Sequence, residues 1–126
     1  EEEGILRQAK ENGTGFIAFS PLAQGLLTNR YLNGIPDDSR IAKGGFLKKE
    51  ALTDEVLKKI KALNELAIRR GQTLAEMALA WILKDDLVTS VIIGASSVGQ
   101  LADNLKAIDN TAFSAEELKN IYQIVK

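Results

Sequence analysis

"IIGASSVGQLADN", residues 92–104, decides the fold. Its first residues close a short β-branched run. Gly94, Ala95, Ser96 and Ser97 form a turn of small residues, and a polar helix start follows. Strand, small-residue turn and helix N-terminus together make an anion cradle: the first-turn amides have no intrahelical partners, and the helix dipole favours negative charge there. A second copy of the pattern stands upstream. Gly15–Phe19 reads as a buried strand, and Ser20-Pro21-Leu22-Ala23-Gln24-Gly25 breaks it with small residues. Both runs are apolar on two faces, as in a parallel strand flanked by helices.

Working outward, residues 2–12 predict a helix ended by Gly13 as a left-handed cap. A long irregular segment, residues 20–52, contains Gly25, Gly34, Pro36, Gly44 and Gly45, which stop any regular element. Thr53 then caps a helix whose apolar residues, Val56 to Ala67, recur at helical spacing, and Gly71 closes it. Capping boxes are expected at Thr73/Glu76, Ser97/Gln100 and Ser114/Glu117, each opening a further helix. The second strand spans Val88 to Ile93. The order is helix, strand, long loop, two helices, strand, helix, helix. This is an α/β pattern with too few strands to satisfy its own edges. It reads as the last third of a larger α/β structure, and the missing initiator methionine fits a chain that begins mid-domain.

Composition narrows the function. The 126 residues are 45% hydrophobic and 26% charged, as in a globular domain. A formal net charge of −1 speaks against nucleic acid as a partner. No apolar run reaches the roughly 18 residues of a membrane span. The chain has no cysteine and no histidine. Disulfides, thiol chemistry and histidine-based acid–base or metal chemistry are therefore outside its repertoire, and a reducing cytoplasm suits it.

In a barrel of eight β/α units, the loops after the last two strands often form a phosphate site, and the two small-residue loops suit that place. Plain turns are the alternative, with Ser97 serving only as a helix cap. Phe19 could equally be a core aromatic, Arg30 and Arg40 solvated loop charges, and Asp103 and Asn104 parts of an exposed helix face.

"GFIAFSPLAQGLLTNRYLNGIPDDSR" (15–40) and "MALAWILKDDLVTSVIIGASSVGQLADNL" (77–105) resemble the C-terminal part of the aldo-keto reductases. The branch is that of bacterial methylglyoxal-type reductases and potassium-channel β subunits. The resemblance implies the C-terminal part of a (β/α)8 TIM-type barrel, with about two of its strands in this chain. Residues 1–126 would be a C-terminal portion of one barrel domain, and residues 20–52 a cofactor-covering loop. It further implies NADP(H) on the barrel rim and hydride transfer to a small aldehyde or ketone. A non-catalytic redox sensor, related to the channel subunits, is the second expectation. An unrelated sugar-phosphate barrel is the third.

By position, the resemblance assigns Phe19 to the nicotinamide ring and Ser20, Pro21, Leu22, Ala23, Gln24 and Gly25 to the pyrophosphate. Thr28, Arg30 and Arg40 become polar and cationic contacts, with Arg40 near the adenosine phosphate. Gly94, Ser96, Gln100, Asp103 and Asn104 match the adenine and ribose-phosphate end. The family's catalytic aspartate, tyrosine, lysine and histidine come from earlier strands. Tyr31 and Tyr122 match neither role, so no catalytic residue and no metal ligand is assigned. Alone, the chain is expected to expose unpaired edges and to self-associate.

Overall fold

The computed structural model describes residues 4–33 and 52–126. Helix α1, Ile5–Glu11, ends at Asn12, whose side-chain amide donates to the Gln8 carbonyl at 2.8 Å. Gly13 then turns the chain with φ +66, the left-handed conformation expected of it. Strand β1, Ile17–Phe19, pairs in parallel with β2, Ser90–Ile92, in the register Ile17↔Ser90, Ala18↔Val91, Phe19↔Ile92. Thr89 carries the pairing further back. Its hydroxyl accepts from the Phe16 N–H at 3.0 Å, and its own N–H donates to the Phe16 carbonyl at 2.8 Å. Gly15 permits this approach, because a Cβ there would meet the Thr89 hydroxyl at 3.2 Å.

Both strands are shorter than their apolar runs, and burial on two faces is not found. Paired residues share a face. Ile17, Phe19 and Ile92 are 60%, 82% and 60% exposed, whereas Ala18 and Val91 are half-buried. The physical reason is that no described residue covers the first face. In a closed eight-stranded barrel, that face would meet side chains from the other strands.

Helix α2 spans Asp54–Arg69, α3 Leu74–Leu83, α4 Val98–Leu105 and α5 Ala115–Val125, with a 3-10 turn, Lys106–Asp109, after α4. The caps explain these limits. Thr53 accepts from the Val56 N–H, with Asp54 and Glu55 at the positive end of α2. Gly71, at φ +71, ends that helix. The boxes at Thr73/Glu76 and Ser114/Glu117 are complete, each with both reciprocal bonds. Helix α2 buries one stripe: Ile60, Leu63, Leu66 and Ala67. These pack with Leu74 and Met77 of α3 and Ile121 of α5, flanked by Trp81, Phe113 and Ile124. Each such aliphatic side chain contributes about 1.5–3 kcal/mol on burial. Among the described residues, no helix is long and apolar enough to cross a membrane.

Arg70 ties the helical layer together. Its side chain is 3% exposed and pairs with the Glu117 carboxylate at 2.7 Å. Its Nε donates to the Gln72 side-chain oxygen at 2.9 Å, and another guanidinium nitrogen donates to the Ala112 carbonyl at 2.9 Å. The guanidinium also lies 3.7 Å from the Phe113 ring centre. A buried charge with this many partners is satisfied, and removing a partner is costly.

Burial pushes the Glu117 carboxyl up, but the Ser114 amide and Arg70 outweigh it and hold it below its ordinary value. A carboxylate depressed in the fold stabilises fully above its unfolded pKa, about 4.3, and the contribution fades as pH falls through the folded value. Glu117→Gln should therefore flatten the acid limb of a stability–pH curve for the intact protein. Arg70→Ala should cost about 3–5 kcal/mol at neutral pH. Urea unfolding along a pH series checks both. Wild-type acid limbs in Glu117→Gln would remove Glu117 from the account.

Candidate functional site

Because β1 and β2 run parallel, their C-terminal ends share one edge. The segments that leave them face each other across a cleft of about 370 Å³. Ser20, Pro21, Leu22, Gln24, Gly25, Thr28, Arg30 and Tyr31 form one wall. Ile92, Ile93, Gly94, Ala95, Ser96 and Gln100 form the other. Most residues singled out from sequence are thus brought together. Arg30 is the one charged side chain among the described lining residues. Hydroxyls, amides, one guanidinium and a few apolar surfaces suit a ligand that is part anion and part flat apolar ring.

The first wall is held in an uncommon backbone shape. Ser20, Ala23, Gln24 and Gly25 all have positive φ, at 54, 47, 58 and 100°. Three are not glycine, and each left-handed residue of that kind costs about 1–2 kcal/mol. Such strain persists only where the surroundings over-determine it. Here the turn closes on itself through Ala23 N–H to Ser20 O and Leu27 N–H to Leu22 O, at 3.1 and 3.2 Å. Leu26 and Leu27 pack against the helical core. Thr28 donates its hydroxyl proton to the Gly25 carbonyl at 2.7 Å and accepts from the Arg30 N–H at 3.2 Å. Its hydroxyl therefore shapes the loop.

On the second wall, the expected box at Ser97/Gln100 is only half formed. Ser97 accepts from the Gln100 N–H at 3.1 Å. The Gln100 side-chain oxygen, however, takes the Ser96 N–H at 2.7 Å and the Ser96 hydroxyl at 3.0 Å. Ser96 offers that oxygen two donors where the Ser97 backbone offers one, so the glutamine reaches one residue further back. The turn is thereby latched to the first turn of α4. At Gly94 an added Cβ would meet nothing within 4 Å, which leaves open space beside the wall.

Four expected residues stand apart from the cleft lining. Phe19 is 82% exposed on the uncovered strand face, just before the wall begins. Ala23 is exposed while its neighbours line the cleft. Asp103 pairs with Lys106 at 2.8 Å, a bond and charge that raise the lysine's pKa. Asn104 is buried, at 5% exposure, with its amide nitrogen unpaired among the described residues, so the exposed-face alternative fails for it. Arg40 lies outside the described residues. Sequence reasoning missed Tyr31, Ile92 and Ile93 as lining residues, while Ala95 lines the cleft as part of the expected small-residue turn. The isoleucines had been spent on the strand, and nothing in the spacing marked the tyrosine.

The left-handed turn is testable without a ligand. Gly25→Ala places a Cβ at φ +100 and 3.6 Å from the Tyr31 ring. It should destabilise the intact protein by more than about 1 kcal/mol, measured as a urea midpoint shift at constant m-value. An unchanged midpoint would mean that the loop relaxes freely.

Comparison with known proteins gives this geometry a context. L-glyceraldehyde 3-phosphate reductase of Escherichia coli strain K12 is 51% identical over 127 residues, covering 98% of this chain and 37% of that protein. A probable voltage-gated potassium channel subunit beta of Arabidopsis thaliana is 43% identical over 101 residues, covering 78% of this chain and 31% of that protein. The chain thus spans about 37% of the length of these reductases. Among solved structures, a glycerol dehydrogenase from Gluconobacter oxydans superposes with a TM-score of 0.75 at 24% identity, covering 98% of this chain and 38% of the other. That likeness shows the fold: two parallel strands and their helices, part of an α/β barrel. The model of the aldo/keto reductase family matches residues 1–126, and the chain belongs to that family.

Proposed function

We propose that the cleft holds the phosphate-bearing part of NADP(H) in a cytoplasmic reductase of small aldehydes or ketones. The observation that supports this most is the meeting of the two strand-end segments around one cleft, whose described lining includes the Arg30 guanidinium. Ser20 to Gly25, with Thr28 and Arg30, would hold the pyrophosphate. Gly94, Ser96 and Gln100 would hold the ribose-phosphate and adenine end, which Asp103, Asn104 and Arg40 complete by family position. Phe19, exposed at the end of β1, has room to meet the nicotinamide ring.

The cofactor, when bound, supplies the hydride. This chain's residues bind and orient it. No described lining residue stands at one of the family's catalytic positions, so the proposal takes the general acid from another part of the barrel. The relatives named for L-glyceraldehyde 3-phosphate make that aldehyde the first substrate to try. Likeness to the channel subunits, at 43% identity, supports a redox-sensing alternative. Turnover of NADPH by the intact protein separates the two.

Titration of both cofactors tests the binding proposal. A lost hydrogen bond to a charged group is worth roughly 1.5–3 kcal/mol. Arg40→Ala should then weaken NADPH about tenfold to a hundredfold at fixed salt and leave NADH nearly unchanged, since NADH lacks the 2′-phosphate. Equal losses would move Arg40 to the pyrophosphate. Failure of the wild type to bind either cofactor would overturn the proposal.

A further inference from the structure

Ser96 and Gln100 both line the cleft, and both are exposed. A ligand there reaches them without any movement of the backbone. Yet the donors of Ser96 are already committed. Its N–H and its hydroxyl both donate to the Gln100 side-chain oxygen, at 2.7 and 3.0 Å. The polarity is fixed, because a backbone N–H can only donate and must face the oxygen of the carboxamide. These two bonds fill the two lone pairs of that oxygen. With the latch closed, Ser96 has hydroxyl lone pairs to offer and no donor.

The two dinucleotides differ at the ribose in the sense of bond they need. A ribose 2′-hydroxyl carries a proton and can donate to the Ser96 hydroxyl with the latch closed. A 2′-phosphate near neutral pH is an acceptor, and it finds donors in Ser96 only when Gln100 lets go. The Gln100 oxygen thus competes with the phosphate for the same two donors. Release is local. The Gln100 N–H stays bonded to the Ser97 hydroxyl at 3.1 Å, so α4 keeps its cap when the side chain swings away. We propose that Gln100 is a specificity-determining residue of this cleft, whose side-chain oxygen holds the Ser96 donors against the adenosine 2′-phosphate and so narrows the preference for NADP(H) over NAD(H). The inference rests on the dinucleotide-binding proposal above and places Gln100 at the ribose-phosphate end as a competitor for donors.

Gln100→Met keeps the length of the side chain and deletes the amide oxygen. In the intact protein without cofactor, amide hydrogen exchange at Ser96 should quicken. Affinity for NADPH should rise about threefold to tenfold at fixed salt, and affinity for NADH should change little. Gln100→Glu keeps the acceptor and adds charge, which tightens the hold on Ser96 and repels phosphate. It should weaken NADPH about tenfold and again leave NADH nearly unchanged. Loss of NADPH affinity in Gln100→Met would overturn the inference and make Gln100 a direct phosphate ligand. Unchanged NADPH affinity in that variant, or unchanged exchange at Ser96, would also overturn it and leave the dinucleotide site standing. A wild type that binds neither cofactor would overturn the site itself.

Discussion

The parallel pairing of Ile17–Phe19 with Ser90–Ile92 is the constraint on which the site depends. Antiparallel strands would send their following loops to opposite edges. Parallel strands send both to one edge, at the cost of a long crossover. In this chain the crossover holds the first cleft wall, α2 and α3, so the elements that permit the pairing also build the site. Only three residue pairs make up the described sheet, and Thr89 extends it by bonding to Phe16. Such a short ladder needs its helices fixed elsewhere.

The fixing lies in the helical layer. Helix α2 packs on α3 and α5 through Ile60, Leu63, Leu66, Leu74, Met77 and Ile121. Arg70 locks the end of α2 to α5 through Glu117 and to the segment before α5 through the Ala112 carbonyl, with Gln72 as a local acceptor. Against this well-packed layer, the turn at Ser20–Gly25 is strained. Leu26 and Leu27 root it in the core, and the buried Tyr31 braces it. A rigid layer supporting a strained, polar loop is the arrangement expected where backbone shape serves a ligand.

Much of this was legible in the residues. Thr53, Thr73 and Ser114 cap the helices they were expected to cap, because a cap is a local event set by a few neighbours. Gly13 and Gly71 adopt the left-handed turns that their positions required. The failures have a common cause in tertiary context. Gln100 chose Ser96 over Ser97, a competition that helix spacing does not reveal. The exposure of Phe19 and Ile92 depends on whether a face is covered, which an apolar run cannot state. Nothing local to Arg70 signals its role, because its partners at Ala112 and Glu117 come from a distant part of the chain. Tyr31 was visible only as a tyrosine in a glycine-rich stretch. Its role as cleft wall needed the return of the chain over Gly25.

The central claim is that the two strand-end segments act as a single dinucleotide site. Amide hydrogen exchange on the intact protein, with and without saturating NADPH, tests it most directly. Protection should rise together in residues 20–31 and 94–100, with little change along the Arg70 face of α2 and α5. Protection confined to one of those segments, or found only elsewhere in the chain, would contradict it.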